Sequence, residues 1–454
     1  MSSPTAPDTS ARRPRIAYYG DDFTGATDTL SVAVRGGLRA ALFLQTPGPA
    51  DLAAFGELDC VGLAGGARSW SPQEMDLRLP DIYAALAATG AQAVHYKTCS
   101  TFDSAPHVGS IGRAVRLGLR ALGQSTAYIV GGQPNLGRYC AFATLYARAG
   151  QGGRVYRLDR HPTMRCHPVT PMDEADLRLH LGRQGLEGVV SFALDKLAGA
   201  APAALDAMLA DLPAAVLFDV LGDEHLAAIG RMLWGRIARS ADGPALLVGP
   251  SSVEQALLTA WPGQTRETQA AVQRPAPVSA EQVFIVAGSR SPVTAQQIRR
   301  ARDDGFALLD VDPRRVVQEA GENDGGPYCR ELADKVVQCL RTGRSVIAQT
   351  TLTETAPAGS GPKLAAAAGR LMHQVLRRHR LARVGFAGGD TSSLAIQAWN
   401  ARALTLAYTL SPGVAVCAVH SDDAVLNGVE LMLKGGQMGP QDVFEALRQG
   451  RRAA

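Results

Sequence analysis

Short apolar runs of about four to six residues recur along this chain, and each gives way to a polar or glycine-rich loop and then to a helical pattern. That alternation constrains the fold more than any other feature, because parallel strands need a crossover connection, usually a helix, to come alongside one another. One series of runs falls at 40–44, 93–96, 127–130, 215–218 and 245–248, and a second at 283–287, 307–311, 345–348, 384–387 and 414–419. Between the two series, residues 261–282 are rich in Pro, Gln, Thr and Ala without periodicity, and residues 251–260 read as a closing helix. A chain of 454 residues exceeds one ordinary core. The expected class is therefore α/β with two domains, each a largely parallel sheet flanked by helices, and a cleft between them. The expected boundaries are a disordered tail at 1–15, a first domain at 16–261, a hinge at 262–282 and a second domain at 283–454.

Charge and cysteine usage narrow the function classes. A net charge of +4 with no long Lys/Arg block among aromatics gives nucleic acid no footprint. The seven cysteines never fall in a Cys-x-x-Cys spacing, so neither a disulfide framework nor a zinc site is indicated. Residues 403–421 are uncharged but carry Pro412-Gly413, which suits two strands and a turn rather than a membrane span. Residues 1–15 lack the apolar centre of a secretory signal, and the expected location is cytoplasmic. A homodimer stays open at this stage.

Chemistry concentrates where strands end. In the stretch Ile16 to Asp28 an apolar run breaks into Asp21, Asp22, Thr24 and Gly25. Two neighbouring carboxylates are costly to bury without partners, so they should face a cleft that holds a cation or a polyol. Plain capping of a helix starting near Gly25 by Asp22, Thr24 and Thr27 explains the same residues and does not exclude binding. The segment 95–104 follows another strand and gathers Lys97, Ser100, Thr101, Asp103 and Ser104, the mixture of cation, hydroxyls and carboxylate that a small polyhydroxy acid needs. Cys99 in that loop has no histidine tied to it, which argues against a nucleophile. The Pro-interrupted segment 157–172 cannot form a regular helix, and its His161 and His167 suit loop hydrogen bonds or substrate better than a metal.

Three glycine loops follow in the second series. Gly288-Ser289-Arg290-Ser291 and Gly388-Gly389-Asp390-Thr391 each join a buried strand to a helix, the geometry that offers free N–H groups to phosphate. Neither is a Walker A or dinucleotide fingerprint, and tight turns with hydroxyl caps account for them equally. The third loop, 434–439, precedes a helix expected at 441–447; it either meets phosphates or adenosine or caps a helix at 429–433. Residues 355–363 read as a surface loop.

Taken in order, DDFTGATD, YKTCSTFDS (Tyr96 to Ser104), HPVTPM (His167 to Met172), AGSRSPVT (Ala287 to Thr294), AGGDTS (Ala387 to Ser392), SPGV (Ser411 to Val414) and KGGQMG resemble the four-carbon acid sugar kinase family over residues 16–447. The resemblance implies ATP-dependent phosphorylation of the terminal hydroxyl of a four-carbon sugar acid, with the acid on the first domain and ATP on the second. The CSTFDS and HPVTPM versions look like the 3-oxo-tetronate branch. Threonate or erythronate kinases, and a sugar-acid-binding protein without catalysis, are the alternatives. By resemblance Ser289, Gly388, Gly389, Asp390, Thr391 and Gly436 fall on ATP contacts, and Ser291 and Gly435 complete the expected cradle. Asp21 or Asp22 would orient or deprotonate the hydroxyl, and Lys97 or Arg138 would meet the carboxylate. Thr24, Ser100, Thr101, Asp103 and His167 would contact the acid, and Mg²⁺ would bridge the phosphates with help from Asp390. The sequence departs from the family at Asp390, where a glutamate is usual, and at Gly435, Gln437 and Met438.

Overall fold

A computed structural model describes residues 14–150, 152–167, 169–197, 202–238, 243–261, 278–319, 325–350, 352 and 359–451. The early lobe contributes β1 (Ile16–Gly20), β2 (Ala40–Phe43), β3 (Cys60–Ala64), β4 (Ala93–Lys97), β5 (Ala127–Val130), β6 (Arg138–Ala141), β7 (Thr144–Arg148), β8 (Val155–Arg157), β9 (Val189–Phe192), β10 (Ala215–Phe218) and β11 (Ala245–Gly249). The late lobe contributes β12 (Phe284–Ala287), β13 (Ala307–Asp310), β14 (Val346–Gln349), β15 (Arg383–Ala387), β16 (Ala403–Ser411), β17 (Val414–His420) and β18 (Glu430–Lys434). Fifteen of these strands form one sheet in the order β13-β14-β12-β15-β18-β17-β16-β2-β3-β1-β4-β11-β5-β10-β9, and β6-β7-β8 form a small antiparallel sheet beside it. Each expected run lies on an observed strand, and 403–421 is the hairpin β16–β17.

The two parallel blocks are joined edge to edge, where separate sheets were expected. β2 and β16 pair antiparallel through Phe43 with Ala403 and Leu42 with Leu404. β16 shifts register against β17 between Leu406 and Tyr408 and again between Thr409 and Ser411, irregularities that bend and twist a strand. One apolar core runs through the junction, from Tyr18 and Leu30 to Leu404, Cys417 and Leu431. Residues 262–277 of the expected hinge lie outside the described residues. The rest of that segment packs on the late lobe, with Ala280 N–H donating to Arg448 O at 2.8 Å and Arg383 Nη2 to Val278 O at 3.1 Å.

Several local expectations need correction. The first helix is Phe23–Arg35, two residues ahead of the expected start, because Asp22 in extended backbone (φ −144°) accepts from Gly25 N–H and caps it. Residues 430–434 are a strand between β15 and β17 and not a helix, which removes the C-cap explanation of Gly435 and Gly436. The helix Gly361–Arg378 begins inside the expected loop, with Pro362 in its first turn, where a missing N–H has no cost. The last helix is Val443–Gln449.

Candidate active site

Register places the chemistry. In the early lobe Ala64, Gly20, Lys97 and Gly249 stand at one level of β3, β1, β4 and β11, so the segments after them emerge side by side at the carboxyl edge of parallel strands. Those segments carry Arg68, Asp21 with Asp22, Thr98 to Asp103, and Ser251. In the late lobe Gln349, Ala287, Ala387 and Lys434 stand at one level of β14, β12, β15 and β18, and the three glycine loops follow three of them.

The adjacent aspartates divide. Arg68 Nη2 lies 3.0 Å from Asp21 Oδ1 and 3.0 Å from Asp22 Oδ1, so the cation the pair needs is supplied by the protein itself. Asp21 is 1% exposed and is absent from the cleft wall, whereas Asp22 lines it. Burial pushes Asp21 up to about 6; Arg68 opposes the rise and the Asp22 charge adds to it. Burial would raise Asp22 too, but Arg68, Lys97, the Thr24 hydroxyl and the Gly25 amide together hold it below the usual carboxylate range. Thr24 Oγ1 donates to Asp22 Oδ2 at 2.6 Å and Gly25 N–H to Oδ1 at 3.1 Å. A Cβ at Gly25 would stand 2.4 Å from Asp22 Oδ1 and 2.5 Å from Lys97 Nζ, so any larger residue there would push these two side chains from their places. Capping and cleft placement thus coexist in Asp22.

The remaining expected contacts gather around it. Lys97, Ser100, Thr101, Asp103, Arg138 and His167 all line the same cleft. Lys97 Nζ donates to Thr98 O at 2.7 Å, and Thr101 Oγ1 to Asp103 Oδ1 at 2.7 Å. Arg138 donates to Leu136 O through Nη1, while its Nε is buried and has no partner among the described residues. His167 Nδ1 accepts from Thr170 N–H at 3.1 Å, which puts the proton of the neutral ring on Nε2. His161 Nδ1 likewise accepts from Thr163 and Met164 N–H, each at 3.2 Å, so both histidines organise loop backbone. Burial lifts the Cys99 thiol to about 11, which suits no nucleophile.

Gly389, Gly435 and Gly436 close the cleft from the other lobe. Phe23 N–H donates to Ser393 Oγ at 3.2 Å, and Ser393 Oγ donates to Gly389 O at 2.9 Å, so the starts of helices Phe23–Arg35 and Gly389–Gln397 meet across the lobes. The glycines have distinct causes. A Cβ at Gly288 would stand 2.3 Å from Thr391 Oγ1 and one at Gly436 2.3 Å from Ser289 Oγ; Gly388 has φ +132°, while Gly389 faces open space. Ser289 Oγ accepts from Ser291 N–H at 3.1 Å, and Ser291 Oγ caps Val293 N–H at 3.3 Å; neither serine lines the cleft. Asp390 opens the helix, but its side chain lies outside the described residues.

A second cavity, walled by Val286, Val311, Leu332 and Leu371, opens beside Gly288 and Thr391. Thr391 lines this apolar cavity and Gly389 lines the polar cleft, so a flat base and a chain of phosphates have adjoining places. The residues present therefore fit ATP. Among the described residues no group of three His, Cys, Asp or Glu could hold a metal ion.

Arg68 and Asp28 are cleft residues that the sequence reading passed over. Asp28 Oδ2 accepts from Ser251 Oγ at 2.5 Å and from Gln133 Nε2 at 3.2 Å. Asp28 closes the DDFTGATD motif, and Arg68 follows Gly65-Gly66 after β3, the same strand-to-glycine signal read elsewhere.

Two family models match the chain, a sugar-binding N-terminal domain over residues 16–257 and a nucleotide-binding C-terminal domain over residues 284–444. The 3-oxo-isoapionate kinase of Paraburkholderia graminis is 40% identical, with 96% of this chain and 95% of its own covered. The 3-oxo-tetronate kinase of Pectobacterium atrosepticum is 28% identical, with 95% of this chain and 97% of its own covered. A Salmonella typhimurium protein of solved structure, provisionally described as a tRNA synthase, shares the fold at a TM-score of 0.73 and 24% identity, over 96% of this chain and 98% of that one.

Proposed function

We propose that this chain, which belongs to the four-carbon acid sugar kinase family and is an ATP-dependent sugar-acid kinase, presents the terminal hydroxyl of a short 3-oxo sugar acid to the γ-phosphoryl of ATP over Asp22. The observation that carries the reading is the single cleft lined by Asp22, Lys97 and Asp103 from one lobe and by Gly389, Gly435 and Gly436 from the other. Phosphoryl transfer asks a protein mainly for alignment and charge neutralisation, and such a cleft offers both.

In this scheme the acid belongs to residues 16–261 and the nucleotide to residues 283–454. Asp22, kept ionised and on the cleft wall, orients the acceptor hydroxyl and takes its proton. Asp21 stays behind it as the second partner of Arg68. Lys97 and the buried Nε of Arg138 meet the substrate carboxylate, and Ser100, Thr101, Asp103 and His167 read its oxygens. The base rests in the apolar cavity, and Asp390 would help to hold Mg²⁺, which supplies charge neutralisation at the phosphates when bound.

The 40% relative acts on 3-oxo-isoapionate, which makes that acid the first acceptor to test. The 3-oxo-tetronate expected from the CSTFDS and HPVTPM segments comes second, ahead of threonate and erythronate. The test is ADP release with each acid in turn. Release that depends on a 3-oxo acid and is weak with threonate and erythronate supports the assignment; equal rates on all, or release independent of any acid, defeat it.

A further inference from the structure

The turn Gly435 to Met438 that closes the cleft is held from behind by a lysine. Lys434 Nζ donates to Gly435 O at 2.9 Å, to Thr294 Oγ1 at 3.1 Å and to Met438 O at 3.2 Å. Thr294 Oγ1 in turn donates to Gly436 O at 2.8 Å. Gln297 Nε2 continues the row, donating to Met438 O at 3.1 Å and Gly439 O at 2.9 Å. Lys434 is 0% exposed and donates to neutral oxygens. It therefore cannot reach into the cleft as a phosphate-binding lysine would.

What the lysine does instead follows from peptide geometry. No cis peptide occurs among the described residues, so each C=O points opposite to the N–H of the same peptide unit. With the carbonyls of Gly435 and Gly436 turned to Lys434 and Thr294, the N–H groups of Gly436 and Gln437 turn the other way. Gly436 and Gln437 line the cleft, and among the described residues neither amide has an acceptor. Successive main-chain N–H groups directed into a concavity bind anions.

We propose that Lys434 is a positioning residue: its buried ammonium holds the carbonyl side of the 435–438 turn and so aims the amides of Gly436 and Gln437 at the phosphates of the nucleotide. This rests on the kinase reading above. Burial draws the ammonium down to about 7, so a phosphate on the far side of the turn would favour its charged form.

Binding of ATP, ADP and adenosine to the full chain, by titration calorimetry and by competition, tests it. The expected result for Lys434→Met is a loss of about tenfold or more in ATP and ADP affinity with adenosine affinity within about twofold of wild type, the loss of a charge-assisted anchor. In turnover, KM for ATP rises while KM for the acid holds. Thr294→Val should show the same selective loss in smaller measure, and Thr294→Ser should restore it. If Lys434→Met does not fold, the Thr294 pair decides. Unchanged ATP affinity in folded Lys434→Met, or equal losses for adenosine and ADP, overturns the positioning role. Wild-type protein that binds no ATP would instead overturn the kinase reading itself.

Discussion

On the early lobe the cleft is walled by charged side chains held by their neighbours, Asp22 against Arg68 at 3.0 Å and Asp28 by the Ser251 hydroxyl at 2.5 Å. On the late lobe the same cleft is walled by main chain at Gly389, Gly435 and Gly436. A sugar acid presents a carboxylate and several hydroxyls in one stereochemical arrangement, and reading it takes side chains of different lengths and polarities. Phosphates are alike in every nucleotide, and amides suffice for them. The cations differ accordingly. Arg68 has two carboxylates, whereas Lys434 is surrounded by carbonyls and one hydroxyl.

The sharpest way to break this comparison is Asp22→Asn. Asparagine caps a helix about as well as aspartate, so the fold should persist while turnover falls by roughly a hundredfold to ten-thousandfold. Steady-state rates alongside circular dichroism decide it, and a folded variant with near-normal turnover removes Asp22 as base.

Arg68→Met comes next. It leaves Asp21 and Asp22 side by side without their cation, and breaking a buried pair of this kind costs about 3–5 kcal/mol. The folded state holds Asp21 at about 6 against an ordinary 3.8, so it takes up a proton more readily than the unfolded chain as pH falls through that window. Arg68 opposes that rise, so its removal carries the window higher still, and the penalty grows as pH rises through it and is relieved at lower pH. Urea unfolding should therefore show a larger deficit for Arg68→Met at pH 8 than at pH 5, and equal deficits would mean the aspartates carry no such strain.

On the main-chain side, Gly388→Ala forces a side chain into φ +132° and within 3.1 Å of Ser289 N. Strain of about 1–3 kcal/mol should appear as a raised KM for ATP with the acid KM unchanged in initial-rate measurements. If the acid KM shifts instead, the loop does not serve the nucleotide alone.

A smaller effect separates the two cations. Folded Lys434 loses its proton near 7, whereas the unfolded side chain keeps it to about 10.5. The unfolded state binds more protons across that window, so stability rises with pH there. Melting curves of wild type should gain on those of Lys434→Met between pH 7 and 10, and parallel curves would contradict the buried charge. Least of all, Cys99→Ser should leave turnover within about twofold, since a thiol held up to about 11 supplies no thiolate; a large loss of rate would reopen the nucleophile.

Much of this was legible in the chain. The strand–glycine–helix units at 283–297 and 384–394 occur where expected, and Lys97, Thr101 and Asp103 share a wall with Asp22. The β6–β7 hairpin escaped because its turn residues, Phe142 and Ala143, adopt positive φ of 50° and 64° without a glycine or asparagine to signal it. Asp219, a distant residue, holds that turn by accepting from Phe142 N–H at 2.5 Å and Ala143 N–H at 2.9 Å. Arg68 and Asp28 escaped for a related reason: their partners come from other strands, and no local spacing announces them.

By itself the sequence determined which segments become strand, loop and helix, and which loops carry carboxylates, hydroxyls or glycines. Those properties depend on the period of apolar residues and on backbone freedom over a few positions. Only the tertiary structure decided that Asp21 turns inward while Asp22 faces the cleft, that Arg68 serves both, and that Lys434 points behind its turn rather than into the site. Each of those outcomes depends on strand register and on burial, quantities set by residues tens to hundreds of positions away.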